Sequence, residues 1–420
     1  MPPPSADVRL LFATRAARLF AYGFLSVVLV LYLAEAGLDE RRIGLLLTLT
    51  LVGDTAISLA LTTRADRAGR RRTLVAGAAL MVFAGVLFAA TRSFWVLLLA
   101  ATVGVISPAG NEVGPFLAIE QAALSQAIPA ERRTRTFAWY ALVGSLATAL
   151  GSLAAGHLAS ALQRGGLGAL ASYRAVVLGY AALGVVLLAL FTRLSPAAEA
   201  PPSRRAARAE RPSFLRPNLG LHGSRRTVLR LASLFAVDSF AGGFVVQSFV
   251  AYWFHRRFGA DPALLGTIFF VANAVAGLSA LSAAWVAERI GLVRTMVFTH
   301  LPSNVLLFLV PLMPSLPLAM ALLFLRFSIS QMDVPTRQSF TMAVVEPDER
   351  SAAAGVTGIA RTVGASLAPM LAGPLYASAA LASVPFFVAG GLKIAYDLAL
   401  FAAFRAVRPP EERDGRRAPR

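Results

Sequence analysis

The sequence predicts an all-α integral membrane fold of twelve transmembrane helices arranged as two parallel six-helix repeats. Three observations point to it: apolar runs long enough to cross a bilayer, arginines whose density alternates between connections, and a residue pattern that recurs at a nearly constant offset. The chain has 420 residues, of which 57% are hydrophobic and 15% charged, and a mean hydropathy of +0.65. About a quarter of the residues of a soluble domain are charged, so that class is excluded. The chain has no cysteine, which removes disulfide scaffolds, thiolate metal sites and cysteine nucleophiles.

A spanning helix needs about 20 mostly apolar residues. That ruler places spans at 10–34, 42–63, 73–92, 94–127, 135–161, 171–193, 228–255, 262–287, 292–313, 315–345, 351–379 and 383–406. Several exceed the bilayer thickness, which predicts tilted or protruding ends. Residues 1–7 hold three prolines and an acid, with no basic stretch before the first span, so no cleaved signal peptide is expected.

The formal net charge of +18 could suit a nucleic-acid binder, but the basic residues fall between apolar runs as membrane-flanking charges do. Connections after odd-numbered spans carry seven: Arg41, Arg42, Arg92, Arg164, Arg174, Arg256 and Arg257. The other side carries 27, including Arg64, Arg67, Arg70, Arg71 and Arg72, nine in 193–230 and six in 405–420. The positive-inside rule then predicts a multi-pass plasma-membrane protein, of the bacterial inner membrane, with both termini cytoplasmic. Residues 194–226 (SPAAEAPPSRRAARAERPS within them) are too polar to span and too poor in large apolar residues to form a core. They read as a cytoplasmic linker between a bundle at 1–193 and a second at 227–408, followed by a basic tail at 409–420.

The repeat supports that division. Leu11-Phe12-Ala13 recurs as Leu234-Phe235-Ala236, and Gly37, Gly44 and Gly69 recur as Gly259, Gly266 and Gly291, at offsets of 223 and 222. Pro129-Ala130-Glu131-Arg132 recurs as Pro347-Asp348-Glu349-Arg350 at an offset of 218. An offset spanning an even number of helices makes the repeats parallel.

After span two the chain reads Thr62-Thr63-Arg64-Ala65-Asp66-Arg67-Ala68-Gly69-Arg70-Arg71-Arg72-Thr73-Leu74. This resembles the Gly-x-Leu-Ala-Asp-Arg-x-Gly-Arg-Lys-x-x-Leu signature of the major facilitator superfamily. Asp66, Arg67, Gly69, Arg70 and Leu74 fit, Arg71 replaces lysine, and Thr62 and Arg64 depart from it. A weaker echo is Ala287-Glu288-Arg289-Ile290-Gly291. The span-five proline motif of drug antiporters is absent; that span reads GSLATALGSLAAG from Gly144 to Gly156, a small-residue packing face. The arginine expected early in span four is absent too. The resemblance implies a secondary transporter working by alternating access, with spans 1, 4, 7 and 10 lining its cavity.

Ionisable residues inside spans cost roughly 2.5–3.5 kcal/mol each on insertion scales, so each is a candidate functional residue. In span ten, Arg326, Ser330, Asp333 and Arg337 are spaced to share one helical face, with Pro335 between them. This reads as a polar stripe along the pathway or as an Asp333–Arg337 pair that packs helices. Span four carries Glu112 and Glu120, eight residues apart, and span seven Asp238. Glu112, Glu120, Asp238 and Asp333 are candidate proton carriers, with pairing to the span-ten arginines as the competing role. Arg15 and Arg18 share a face of span one, and the repeat sets Arg15 opposite Asp238, which predicts a cytoplasmic gate that closes when the cavity opens outward. Asp54 and Arg361 sit at similar depth in spans that the resemblance brings together, which predicts an interhalf pair. His300 and Asn304 form a modest polar face.

The four histidines are too scattered for a metal cluster, no phosphate-binding Gly-x-x-x-x-Gly-Lys loop exists, and no nucleophile–base array is visible. No cofactor, no metal and no enzyme activity are expected. The expected partners are a small organic solute, protons and membrane lipids, with no nucleic acid, and the chain is expected to act as a monomer. Drug or metabolite efflux, or a non-transporting receptor or lipid scramblase on the same fold, stay as alternatives.

Overall fold

The computed structural model describes residues 6–129, 132–199, 221–346 and 349–407, without the side chains of residues 63, 64, 66, 67, 133, 134 and 351. Most of the linker, the basic tail and part of the Pro129/Pro347 repeat lie outside them. Sixteen α-helices stand among the described residues. The first eight are α1 (Ala6–Ser26), α2 (Leu29–Glu35), α3 (Glu40–Ala68), α4 (Arg70–Ala90), α5 (Phe94–Val103), α6 (Phe116–Ala127), α7 (Arg133–Arg164) and α8 (Ala169–Phe191). The second eight are α9 (Arg225–Gly243), α10 (Gln247–Phe258), α11 (Pro262–Ile290), α12 (Leu292–Leu309), α13 (Leu316–Ser330), α14 (Asp333–Ala343), α15 (Arg350–Ala377) and α16 (Val384–Phe404).

They exceed the twelve expected spans because the first, fourth, seventh and tenth are each broken in two. Span four breaks where Pro108, Gly110, Gly114 and Pro115 crowd one stretch, Gly110 and Gly114 taking φ of +69° and +80°. Span seven breaks just after Gly242-Gly243, and α1 and α2 meet at a bend of 42°. In span ten the break falls at Gln331-Met332, upstream of Pro335. Pro335 lies in the first turn of α14, where a backbone N–H has no intrahelical partner anyway.

Nine segments of described residues are long and apolar enough to cross a membrane, or ten with α1 and α2 taken as one bent span. Predicted spans 94–127 and 351–379 fall outside that set. The first is interrupted after α5, and α15 is rich in glycine, alanine, serine and threonine with Arg361 midway. Large apolar side chains such as Trp95, Leu278, Trp285 and Leu398 point outward, as they do toward lipid.

The recurrent residues turn out to be turn and contact chemistry. Asp39 caps α3 by accepting from Arg42 N–H at 2.8 Å, and Asp261 caps α11 from Leu264 N–H at 2.7 Å. Gly69 and Gly291 end α3 and α11 at φ of +99° and +88° with extended ψ, a nearly glycine-only conformation that costs other residues about 1–3 kcal/mol. Each N–H reaches a carbonyl four residues back, Ala65 or Ala287, at 2.9 Å.

Within the first eight helices α1 packs on α7 and α4 on α8; within the second, α9 packs on α15 and α12 on α16. Two seams, α3 on α15 and α7 on α11, join the groups. Both are glycine contacts. A Cβ at Gly44 would stand 2.4 Å from the Pro369 carbonyl and one at Gly373 2.2 Å from that of Glu40; one at Gly156 would meet Pro262 O at 2.1 Å and one at Gly266 Ser152 O at 2.7 Å. Nearby, Thr48 Oγ1 accepts from Met370 N–H at 2.9 Å, Arg256 pairs with Glu40 at 3.0 Å, and Gln247 donates to Ser26 at 2.8 Å. These contacts lie toward the face opposite the arginine-rich one. On the arginine-rich half of α15, Gly355 and Gly358 face open space. The two groups therefore close on one face and splay toward the other, around a cavity of about 490 Å³.

Candidate functional site

The broken helices deliver charge to this cavity. Arg15, Glu112, Asp238, Arg326, Asp333 and Arg337 all line it, so the structure gathers every expected pathway residue except Glu120. Arg326, Ser330, Asp333 and Arg337 reach it together although the helix breaks between them.

In the first group, α1 supplies Arg15 and Arg18, and the stretch from the end of α5 into α6 supplies the acids. Arg15 pairs with Glu112 and donates from Nε to the Tyr140 carbonyl at 2.7 Å. Gly144 lets the guanidinium close in; a Cβ there would stand 2.8 Å from Nε. Arg18 is fully buried and grips Glu120 with two hydrogen bonds of 2.7 Å each, while reaching Glu112 at 3.0 Å. Glu120 also accepts from Thr14 at 2.9 Å and from the Tyr140 hydroxyl. Glu112 lies before α6 begins, and the two acids are related through Arg18. One reading needs correction. Their partners are the span-one arginines and not those of span ten.

In the second group Asp238 is the hub. It accepts from Lys393 at 2.5 Å and from Arg337 at 3.0 Å, and His300 Nε2 stands 3.8 Å away. Arg337 also reaches Asp333 at 3.5 Å. His300 Nδ1 meets Asp397 at 2.8 Å, and Asn304 donates to Asp397 at 2.9 Å. Asp238, His300, Arg337, Lys393 and Asp397 are all buried, so each charge depends on its partners for compensation. Sequence reasoning passed over Lys393 and Asp397. The signal was present: Lys393 is the single lysine of the chain and sits with Asp397 at i, i+4 in an otherwise apolar span.

Neither Arg15–Asp238, expected when the cavity opens outward, nor Asp54–Arg361 is paired in this splayed arrangement. Arg15 and Asp238 line the same cavity, but each is held within its own group, by Glu112 on one side and by Lys393 and Arg337 on the other. Asp54 accepts from Gly114 N–H at 2.6 Å and weakly from Ser58, while Arg361 faces the cavity and its buried Nε has no hydrogen-bond partner. The reason is the splay. The α3–α15 seam holds at Thr48 and Met370, and Asp54 and Arg361 lie beyond it toward the open face.

At the arginine-rich turn the side chains of Asp66 and Arg67 lie outside the described ones. Gly69 makes the turn, and Glu199, at the start of the linker, accepts from the N–H groups of Arg70 at 2.6 Å and Arg71 at 3.2 Å. Arg70 also donates to Gln126 at 2.7 Å, tying α4 to α6. In the second group Glu349 plays the matching part, accepting from the N–H of Gly223 at 2.9 Å and of Ser224 at 2.8 Å as well as from that of His222.

Known proteins share this arrangement. The family model described as Major Facilitator Superfamily matches residues 11–369 and again 231–420. A membrane protein of Saccharomyces cerevisiae, YJR124C, is 33% identical over 430 residues, covering 96% of this chain and 95% of its own. Among solved structures, the nucleoside transporter NupG superimposes with a TM-score of 0.70 at 14% identity, over 96% of this chain and 100% of its own. A bacterial homolog of the human lysosomal transporter Spinster does so with a TM-score of 0.68 at 16% identity, over 94% of each chain. With the repeat, the two glycine seams and the charged cavity in place, the chain is a multi-pass membrane transporter that belongs to the major facilitator superfamily.

Proposed function

We propose that the protein is a proton-coupled secondary transporter that moves a small polar or anionic organic solute by alternating access. The carrying observation is the cavity of about 490 Å³ between two helix groups that touch through glycine seams on one face only. Residues 1–193 and 227–408 are the two bundles that rock about this site, and the arginine-rich face is the cytoplasmic one, so the conformation is inward-open. The inner membrane of a bacterium and a monomeric state fit the reading. Glu112 and Asp238 are the favoured proton carriers: both line the cavity and both bind cations that a proton would release. Glu120 is committed to Arg18, Tyr140 and Thr14, which suits a structural role better. Efflux of a lipophilic cation fits less well, because cations outnumber carboxylates along the cavity wall.

The test is a solute-induced pH transient in proteoliposomes holding the purified protein, screened with carboxylates, amino acids, sugars and drug-like cations. A proton flux tied to one solute class and lost in Glu112→Gln or Asp238→Asn is expected. Solute flux with no accompanying proton movement removes the coupling, and silence in both records removes the transport reading.

A further inference from the structure

Five cations line the cavity, Arg15, Arg326, Arg337, Arg361 and Lys393, against three carboxylates, Glu112, Asp238 and Asp333. The pairing accounts for three of the five: Arg15 with Glu112, Lys393 with Asp238, and Arg337 shared between Asp238 and Asp333. Arg326 and Arg361 are left with no carboxylate within ion-pair reach among the described residues. Their Nε atoms are buried without a hydrogen-bond partner, and so is the hydroxyl of Ser330, one helical turn from Arg326. All three side chains line the same cavity. Two cations with no carboxylate in ion-pair contact at a partly buried wall are costly unless something outside the chain neutralises them.

We infer that Arg326, Arg361 and Ser330 form the anchor for a small organic dianion, carrying its two charges on a pair of carboxylates or on one phosphomonoester. The excess of two positive charges is what such a solute cancels. Planar guanidinium groups match carboxylate and phosphate oxygens with paired hydrogen bonds, and the Ser330 hydroxyl adds a third donor. The volume of about 490 Å³ falls in the range of small-molecule sites, so an organic dianion fits beside the anchor. Arg361 thereby changes role from an interhalf strut to a binding residue. The two anchor arginines come from α13 and α15 of the second group, and Arg15 and Glu112 face the same space from the first. A dianion held there would complete the charge balance that the chain alone leaves open. This inference rests on the transport reading for its biological sense, but binding itself can be measured without flux.

The experiment is thermal unfolding of the purified full chain in detergent with succinate or glycerol phosphate as the dianion probes. Lactate, alanine, glucose and tetraphenylphosphonium are the comparison probes, and added phosphatidylglycerol tests for a lipid headgroup as the source of charge. Both dianions should raise the midpoint more than lactate does, with no shift from the neutral or cationic probes. Arg326→Gln and Arg361→Gln should each weaken dianion affinity at least tenfold and together abolish the shift. Each should also raise the midpoint of the ligand-free protein, the opposite of what loss of a structural pair does. Arg326→Lys and Arg361→Lys, which keep the charge, should retain part of the shift and serve if the glutamine variants do not fold. No dianion shift, a shift that survives the double substitution, or a shift from phosphatidylglycerol alone overturns the anchor. Arginine-dependent binding without vesicle flux keeps the anchor and removes transport; flux of a neutral solute without dianion binding does the reverse.

Discussion

Lys393 and Asp238 meet at 2.5 Å across α16 and α9, and Arg337 of α14 reaches the second carboxylate oxygen of Asp238 at 3.0 Å. One buried acid therefore holds cations from two other helices. Removing it should cost more than removing either cation, because breaking a buried pair leaves a stranded charge, at about 3–5 kcal/mol. Asp238→Asn is expected to lower the thermal midpoint in detergent well below that of Lys393→Met, in which Arg337 still serves Asp238. The double variant should lie closer to wild type than Asp238→Asn alone. Equal losses in the two single variants would show that Asp238 is not the hub.

Glu112 and Glu120 should separate by phenotype although both bind Arg18. Glu120 is fully buried and bonded by Arg18, Thr14 and Tyr140, so Glu120→Gln is expected to destabilise the fold by about 3 kcal/mol or more. Glu112 is partly open to the cavity, so Glu112→Gln should lower the midpoint less than Glu120→Gln does while losing solute-coupled proton movement. Thermal midpoints and vesicle pH records on the same preparations separate the two roles.

The glycine seams should set the conformational balance. A Cβ at Gly44 or Gly156 would fall within 2.4 or 2.1 Å of a backbone carbonyl, so Gly44→Leu and Gly156→Leu must open the closed face or prevent folding. The natural absence of cysteine makes the readout simple. A cysteine introduced at Ser145, which lines the cavity, should react faster with a reagent added from the closed face when either leucine is present. Unchanged reactivity in a folded variant would place the closure elsewhere.

Glu349 lies ahead of α15, outside the predicted span, and its hydrogen bonds to the backbone at 222–224 hold its carboxyl down at about 2 from an ordinary 4.5. A depressed carboxyl stabilises the folded form above the ordinary value and loses that contribution as pH falls through the folded one. Protection of the amides of Gly223 and Ser224, measured as the intrinsic exchange rate at each pH over the observed one, should therefore stay high above pH 4.5 and fall as pH drops toward 2. Glu349→Gln should show fast exchange already at neutral pH.

Much of this fold is legible in the sequence because its signals are local. The repeat at Gly37, Gly69, Gly259 and Gly291 marks positive-φ positions, which glycine alone takes without strain. The breaks in span four are written in its prolines and glycines. The bend between α1 and α2 falls at Val27-Val28 with no breaker residue, so nothing local announces it. Pairing is the least legible feature. Arg18 finds Glu120 from 102 residues away and Lys393 finds Asp238 from 155, and neither choice follows from spacing along the chain. Asp54 and Arg361 match in depth on spans that the resemblance brings together, a pairing that needs both faces closed; in the splayed arrangement the depth is right and the contact is missing.

The most direct test of alternating access is a pair of spin-label distances recorded in lipid on introduced cysteines. One pair, at Ala127 and Ile290, spans the arginine-rich face, and the other, at Leu167 and Leu381, spans the closed face; all four positions are exposed. The first distance should shorten and the second lengthen together when pH is lowered or a transported solute is added. Solute flux with both distances fixed, or with only one of them changing, would contradict a rocking exchange between the two faces.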